Sequence, residues 1–305
     1  MSDLASTHQE FNPDNLNPKK LHALLLGGVA PRPIAFASTI DKEGRVNLAP
    51  FSYFNVFSAN PPILIFSPAR RGKDNTTKHT LDNVLEVPEV VINMVDYDLV
   101  HACSLASTDY PQGVNEFEKA GLTEVPSVTI TPPRVLESPV SMECKVLKVE
   151  SFGPNPGAGN LVFCEIKRMH FRNNVLGSDG LPDADLLDLV ARCGGSYYTR
   201  ASKEALFEIP KPIANLGIGV DAIPKDICTS SILTGKHLAM LGNVESLPDE
   251  TEVNDYKLIE LSEIFLDYAD NGVVLELELH KHALKLLDNG NVNEAWKTLL
   301  TFNLG

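Results

Sequence analysis

Short apolar runs separated by turn residues fill the first two hundred positions, and most of them read with the period of a strand. After a polar start, Leu21 to Leu26 forms an apolar helical segment that the sequence predicts to stop at Gly27-Gly28. Ile34 to Ile40 is a short apolar run, Asp41-Lys42-Glu43-Gly44 has turn composition, and Val46 to Ala49 resumes the strand, which predicts a hairpin. Ile63 to Phe66 begins a further strand just after Pro61-Pro62. From Asn75 to Leu85 the period becomes helical, with Thr76 or Thr77 near the start and Leu81, Val84 and Leu85 on one face. Val90 to Val95 then returns to strand.

Further on, Asp98 to Leu105 predicts a short helix. Val140 to Val149 and Leu161 to Phe171 predict long strands joined by the glycine- and proline-rich loop 153–159. Such a series suggests a mainly β fold with inserted helices, closed as an antiparallel barrel. Residues 201–250 carry many prolines and glycines with no sustained period, and read as an extended arm whose apolar positions need cover from elsewhere. From Tyr256 onward the chain reads as helical, ending in two helices about Asn289-Gly290. The strand-like alternation of Val273, Leu275, Leu277 and Leu279 is opposed by helix-favouring composition. The expected organisation is therefore a leader and short helix over 1–26, a barrel over 27–200, and an arm with helices over 201–305, packed on the barrel or across a dimer.

Composition narrows the partners. A net charge of −14 disfavours nucleic acid and anionic membrane surfaces, which reward a continuous basic face. Residues 201–305 hold 8 Lys+Arg against 17 Asp+Glu, so the acidity is concentrated there. The first residues lack the basic start and apolar stretch of a signal peptide, and no apolar run approaches the ~18 residues that span a bilayer; a cytoplasmic location is expected. Five scattered cysteines without a Cys-x-x-Cys pair, and His280 and His282 at an unsuitable spacing, indicate neither disulfides nor a metal site.

Against this acidic background Arg70, Arg71, Lys73 and Lys78 fall within nine positions, interleaved with Ser67, Asn75, Thr76 and Thr77 at the junction of a strand end and a helix start. Cations, hydroxyls and a helix N-terminus together suit a phosphate monoester. The same cluster also fits a solvated basic loop. A second group, Ser38-Thr39, Asn47, Ala49-Pro50, Ser52, Phe54 and Asn55, alternates small polar and apolar residues on the hairpin and just after it. It suits the edge and face of a flat heteroaromatic ring, and equally the polar side of a tight hairpin. Gly217-x-Gly219 lacks the third glycine of a dinucleotide fingerprint, and Trp296 reads as the anchor of the terminal helix pair.

The ordered series Pro31-Arg32-Pro33-Ile34-Ala35, Ser38-Thr39, Gly44, Asn47 to Asn55, Asn60-Pro61-Pro62, Arg70 to Thr76 and Asn93 closely resembles the flavin reductase-like family with the FMN-binding split barrel. Arg192-Cys193-Gly194-Gly195-Ser196-Tyr197-Tyr198 resembles that family's closing Arg-x-Gly-Gly-x-Tyr segment, and the resemblance covers about residues 27–200. It implies a homodimeric split barrel with FMN near the dimer interface. The phosphate would be held by Arg71 to Thr77, including Lys73, Asn75 and Thr76, and the ring by Ser38, Thr39 and the Asn47 to Asn55 stretch. Many members read Lys-Asp-Thr directly, whereas Asn75 intervenes here between Asp74 and Thr76, leaving open which threonine reaches the phosphate. The segment from Phe207 to Asn243 resembles the extension on longer members.

The absence of a nucleophile elbow or an obvious acid–base pair accords with chemistry carried by a flavin. Three functions stay open at this point. One is an NAD(P)H-dependent flavin oxidoreductase that takes hydride at FMN N5 and serves free flavin, oxygen, a partner monooxygenase or a small substrate. Another is a non-turnover flavin-binding electron carrier or sensor, and the third a binder of a pyridoxal-phosphate-type ligand.

Overall fold

The chain divides into two units, Met1–Phe207 and Glu208–Gly305. A computed structural model describes residues 7–210 and 216–304, so the start of the leader and arm positions 211–215 lie outside the described residues.

In the first unit, helix α1 (Pro18–Gly28) starts where Asn17 Oδ1 accepts the Lys20 N–H and Pro18 takes the first position. It runs through Gly27-Gly28 instead of stopping there. Its final carbonyls are met by Arg32, whose Nη1 donates to the oxygens of Leu26, at 2.5 Å, and Val29, so no glycine stop is required. Gly194 packs against the same helix end. A Cβ there would stand 3.1 Å from the Leu26 oxygen and 3.2 Å from Gly27 Cα, which explains a glycine in the Arg192 to Tyr198 segment.

Strands β1 (Ala35–Ile40), β2 (Val46–Phe51), β3 (Phe54–Ala59), β4 (Pro62–Phe66), β5 (Glu89–Asn93), β8 (Val140–Ser151) and β9 (Asn160–Phe171) form one antiparallel sheet in the order β2-β1-β5-β8-β9-β4-β3. No ladder joins β2 to β3 among the described residues, so the expected closed barrel is split between its two ends. The β1–β2 turn forms as predicted: Gly44 adopts φ 81°, and Asp41 Oδ1 accepts the N–H groups of Glu43 and Arg45. Strand alternation splits β1 between two cores. Ala35 and Ala37 join Phe51, Phe66, Ile92 and Cys164 on one face, while Phe36 joins Leu48, Leu99, Phe117 and Val135 on the other. Asn93 ties these layers together, donating to the Phe36 oxygen and accepting from Val135 N–H and Ser141 Oγ.

Helix α2 (His79–Glu86) covers the first core with Leu81 and Val84. It begins four residues later than its period predicts. Asn75 takes a left-handed φ of 59°, Asp74 holds the Thr76 N–H and hydroxyl, and the Thr77 oxygen is bound by Arg71, so residues 74–77 form a bonded loop instead of a first helical turn. Helices α3 (Val100–Leu105) and α4 (Glu116–Ala120), the paired β6 (Glu124–Val125) and β7 (Arg134–Val135), helix α5 (Ala184–Leu187), and the paired β10 (Val190–Arg192) and β11 (Tyr198–Arg200) complete the unit.

The second unit is helical: α6 (Lys225–Cys228), α7 (Gly235–Gly242), α8 (Glu250–Glu260), α9 (Ser262–Tyr268), α10 (Gly272–Asp288) and α11 (Val292–Leu300). The alternating Val273 to Leu279 stretch lies in α10. The arm expected to be extended contains α6 and α7, and Ile223, Ile227, Leu233 and Leu241 are buried with Leu287, Trp296 and Leu299. Its apolar residues lack a core only when the two C-terminal helices are ignored. Trp296 anchors that core, fully buried, with Nε1–H donating to the Leu241 oxygen at 3.0 Å. No helix of the described residues is long and apolar enough to cross a membrane.

Candidate functional site

A cavity of about 360 Å³, within the range of small-molecule sites, opens in the first unit where the end of β2 meets the loop that follows β4. Its walls include His22 and Leu26 of α1, the Pro50 to Tyr53 segment, Ser67, and the cations Arg70, Arg71, Lys73 and Lys78, with Asp109 as the acid. A second cavity of about 350 Å³ shares Arg71, Lys73 and Asp109 and adds Thr76, His79 and Tyr110.

The cationic loop is built by its own side chains. Arg70 is turned inward, donating from Nε to Asn75 Oδ1 at 2.9 Å and from Nη2 to the Asn75 oxygen, and Asn75 Nδ2 in turn bonds the Pro154 oxygen at 2.9 Å. Arg71 faces the cavities. Its Nη1 donates to Thr76 Oγ1 at 3.1 Å and to the Thr77 oxygen, and its Nε to Asp109 Oδ1 at 3.2 Å. Lys78 Nζ reaches the same Asp109 oxygen at 2.9 Å. Lys73 is exposed and makes no ion pair among the described residues. Hydrogen bonds from Lys78 and Arg71 hold the Asp109 carboxyl below the usual carboxylate range, so it is ionised at neutral pH. Burial, reinforced by the Arg71 and Lys78 charges, lowers the His79 imidazole, which is neutral there.

The hairpin group scatters over several environments. Pro50 and Ser52 line the larger cavity, and Ser52 Oγ lies 3.4 Å from Arg32 Nε. Asn47 and Ala49 line a small adjoining space of about 30 Å³, with Asn47 Nδ2 donating to Thr80 Oγ1 at 2.9 Å. Thr39 is buried and accepts from Asn83 Nδ2 of α2, and Ser38 is buried with no partner for its hydroxyl. Phe54 packs against the first core, whereas Asn55 is exposed on β3 and bonds the following N–H. Ser67 is buried, its Oγ accepting the Asn160 N–H at 3.0 Å. The cavities thus gather Asn47, Ala49, Pro50, Ser52, Ser67, Arg71, Lys73 and Thr76. Ser38, Thr39, Phe54, Asn55, Asn75 and Thr77 line none of these three.

Four cations, with Arg70 turned inward, share the walls of a ligand-sized cavity with small and apolar residues, a donor set that suits a phosphorylated ring compound. Arg32, which reaches Ser52 through Nε, has its Nη2 buried without a partner, but it does not line the cavity. Sequence reasoning missed Asp109, His79 and the α1 residues His22 and Leu26. Tyr53, which lines the larger cavity, falls within the Asn47 to Asn55 stretch expected to hold the ring. Asp109 gives no local signal, since it reaches Arg71 only through the fold. Glu116 was missed too; it is buried beside Asn47, its carboxyl raised by that burial although it accepts the Leu48 N–H at 2.9 Å.

Residues 27–192 match the model of the flavin reductase like domain. An uncharacterised protein of Aquifex aeolicus is 36% identical over 200 residues, covering 66% of this chain and 100% of its own length. Another from Halalkalibacterium halodurans is 38% identical over 204 residues, covering 67% and 96%. Among solved structures, nitrilotriacetate monooxygenase component B from Bacillus cereus is 31% identical with a TM-score of 0.62, covering 67% of this chain and 99% of that one. The 2-nitrobenzoate 2-nitroreductase of Pseudomonas fluorescens is 30% identical with a TM-score of 0.59, covering 68% and 100%.

Proposed function

This chain belongs to the flavin reductase like family, and from that premise we propose that it is an FMN-dependent oxidoreductase fed by NAD(P)H. The observation that carries the reading is the cavity whose Pro50 to Tyr53 wall runs into Arg71, Lys73 and Lys78. Arg71 and Lys73 bind the phosphate, with Thr76 and Thr77 orienting the Arg71 guanidinium from behind. Pro50 and Ser52 bound the ring, and the Asn47–Thr80 bond fixes the β2 end against α2. FMN, when bound, supplies the two-electron chemistry by accepting and donating hydride at N5. The chain's own residues supply position, charge and exclusion of water.

The names of the two similar solved structures suggest the acceptors to try: a flavin-consuming monooxygenase partner, or a nitroaromatic reduced directly. We further propose a homodimer. Support comes from β3, an edge strand with Val56 and Phe57 each 62% exposed, and from α1, which has no buried residue although it carries Leu24, Leu25 and Leu26.

The test is a visible spectrum of the purified protein, followed by titration with FMN and riboflavin and by NADH and NADPH oxidation with each acceptor. Expected are flavin absorbance, much tighter binding of FMN than of riboflavin, and turnover with one nicotinamide. Flavin binding without nicotinamide oxidation would leave an electron carrier, and no flavin binding would sink the reading. A monomeric mass by light scattering in flavin-loaded protein would remove the dimer.

A further inference from the structure

We propose that Asp109 is an internal counter-ion seated in the phosphate site, and that it competes with the ligand's phosphate for Arg71 and Lys78 and so weakens and speeds exchange of a phosphate-bearing ligand. The inference rests on the FMN reading above and adds a residue to it. Asp109 comes from the segment after α3, far in sequence from the basic loop, yet one of its oxygens lies 3.2 Å from Arg71 Nε and 2.9 Å from Lys78 Nζ. That is the position a phosphate oxygen would take between the same two cations. The carboxylate borders both large cavities, and its side chain is 62% exposed, so it has room to swing into solvent.

Arg71 does not depend on Asp109 for its orientation. Thr76 Oγ1 and the Thr77 oxygen hold Nη1 from the opposite side of the guanidinium, and that loop is tied in turn by Asp74. Removing the carboxylate therefore frees two positioned donors instead of releasing a floppy side chain. An incoming phosphate must displace Asp109 or sit beside its charge. A dianion gains enough from Arg71, Lys73 and Lys78 to do so, whereas a ligand tail without that charge leaves the internal ion pairs in place. Asp109 thereby lowers affinity for an anionic ligand tail and speeds its release, while a ligand without that charge is unaffected.

The experiment titrates the full-length chain and its Asp109→Asn and Asp109→Ala variants with FMN and, separately, with riboflavin. Both variants should bind FMN about five- to tenfold more tightly, the scale of losing two partly exposed ion pairs. FMN release should slow, and riboflavin binding should not change. FMN affinity that is unchanged or weaker in both variants would overturn the proposal, because Asp109 would then be a spectator or a support for the cations. An equal gain for riboflavin would overturn it too, since the effect would not be at the phosphate. A parent protein that binds FMN no tighter than riboflavin would instead sink the phosphate reading itself, a result seen before any variant is made.

Discussion

In the sheet unit Phe36 pairs with Pro50 across a short turn and with Asn93 from far down the chain, and β4 pairs with β9 although β5 and β8 separate them in sequence. In the helical unit α10 and α11 pack across the short turn around Gly290, and Trp296 buries itself against residues of α7 and α10. The first arrangement depends on distant pairing and brings segments from separate places in the chain to one cavity. The second depends on helical periodicity and mostly nearby contacts. The difference bears on function: the β3–β4 hairpin sets Ser52 and Tyr53 beside the loop that carries Arg71, Lys73 and Lys78, and Asp109 meets those cations only through the fold, while the helical unit lies in the acidic third of the chain and outside the family match.

The sharpest way to break this comparison is Trp296→Ala. Losing a fully buried tryptophan and its hydrogen bond should cost the helical unit ~3–5 kcal/mol, read as a lower midpoint in thermal melts followed by far-ultraviolet circular dichroism. FMN affinity measured beside it is the control. If it falls in parallel, the two units act as one cooperative body.

Next in size is Arg71→Ala with Lys73→Ala, expected to weaken FMN ten- to a hundredfold, or about 1.5–3 kcal/mol, while leaving riboflavin binding alone. Equal FMN affinity in a folded variant would remove both residues from the phosphate site.

Glu143→Gln tests the long-range side of the comparison within the sheet unit. Burial alone would raise the Glu143 carboxyl, but hydrogen bonds from Thr129, the Val128 N–H and His170 outweigh it and hold its pKa at about 2, below the ordinary 4.5. A depressed folded-state value means that the ionised group stabilises fully above pH 4.5 and loses this contribution as pH falls toward 2. The variant should be less stable at pH 7 by ~1–3 kcal/mol in urea unfolding, and its deficit should shrink on acidification. A deficit independent of pH would assign the effect to shape instead of charge.

The smallest effect is expected at the β1–β2 turn, the most local feature of the sheet. Gly44→Ala has open space for the added methyl, so only the left-handed φ of 81° opposes it, at ~1–2 kcal/mol and without change in FMN affinity.

Much of the fold was legible from neighbouring residues: the hairpin at Asp41 to Gly44, the two long strands around loop 153–159, α3, and the terminal helix pair. So was the basic cluster, because four cations within nine positions stand out in an acidic chain. Two local readings failed for local reasons that only coordinates reveal. The helix expected from Asn75 waits until His79 because Asp74 and Arg71 bind the intervening threonines, and α1 continues through Gly27-Gly28 because Arg32 meets its last carbonyls.

The sequence by itself determined the first hairpin, the long strand pair, α3 and the terminal helix pair, and where the chain concentrates positive charge, since these are properties of adjacent residues. Only the tertiary structure decided that Thr39 meets Asn83, that Asn47 meets Thr80, that residues of the arm share a core with Trp296, and that Asp109 stands between Arg71 and Lys78. Periodicity records the face on which a side chain lies. The group opposite that face depends on strand order and helix packing, which bring together segments that carry no trace of one another along the chain.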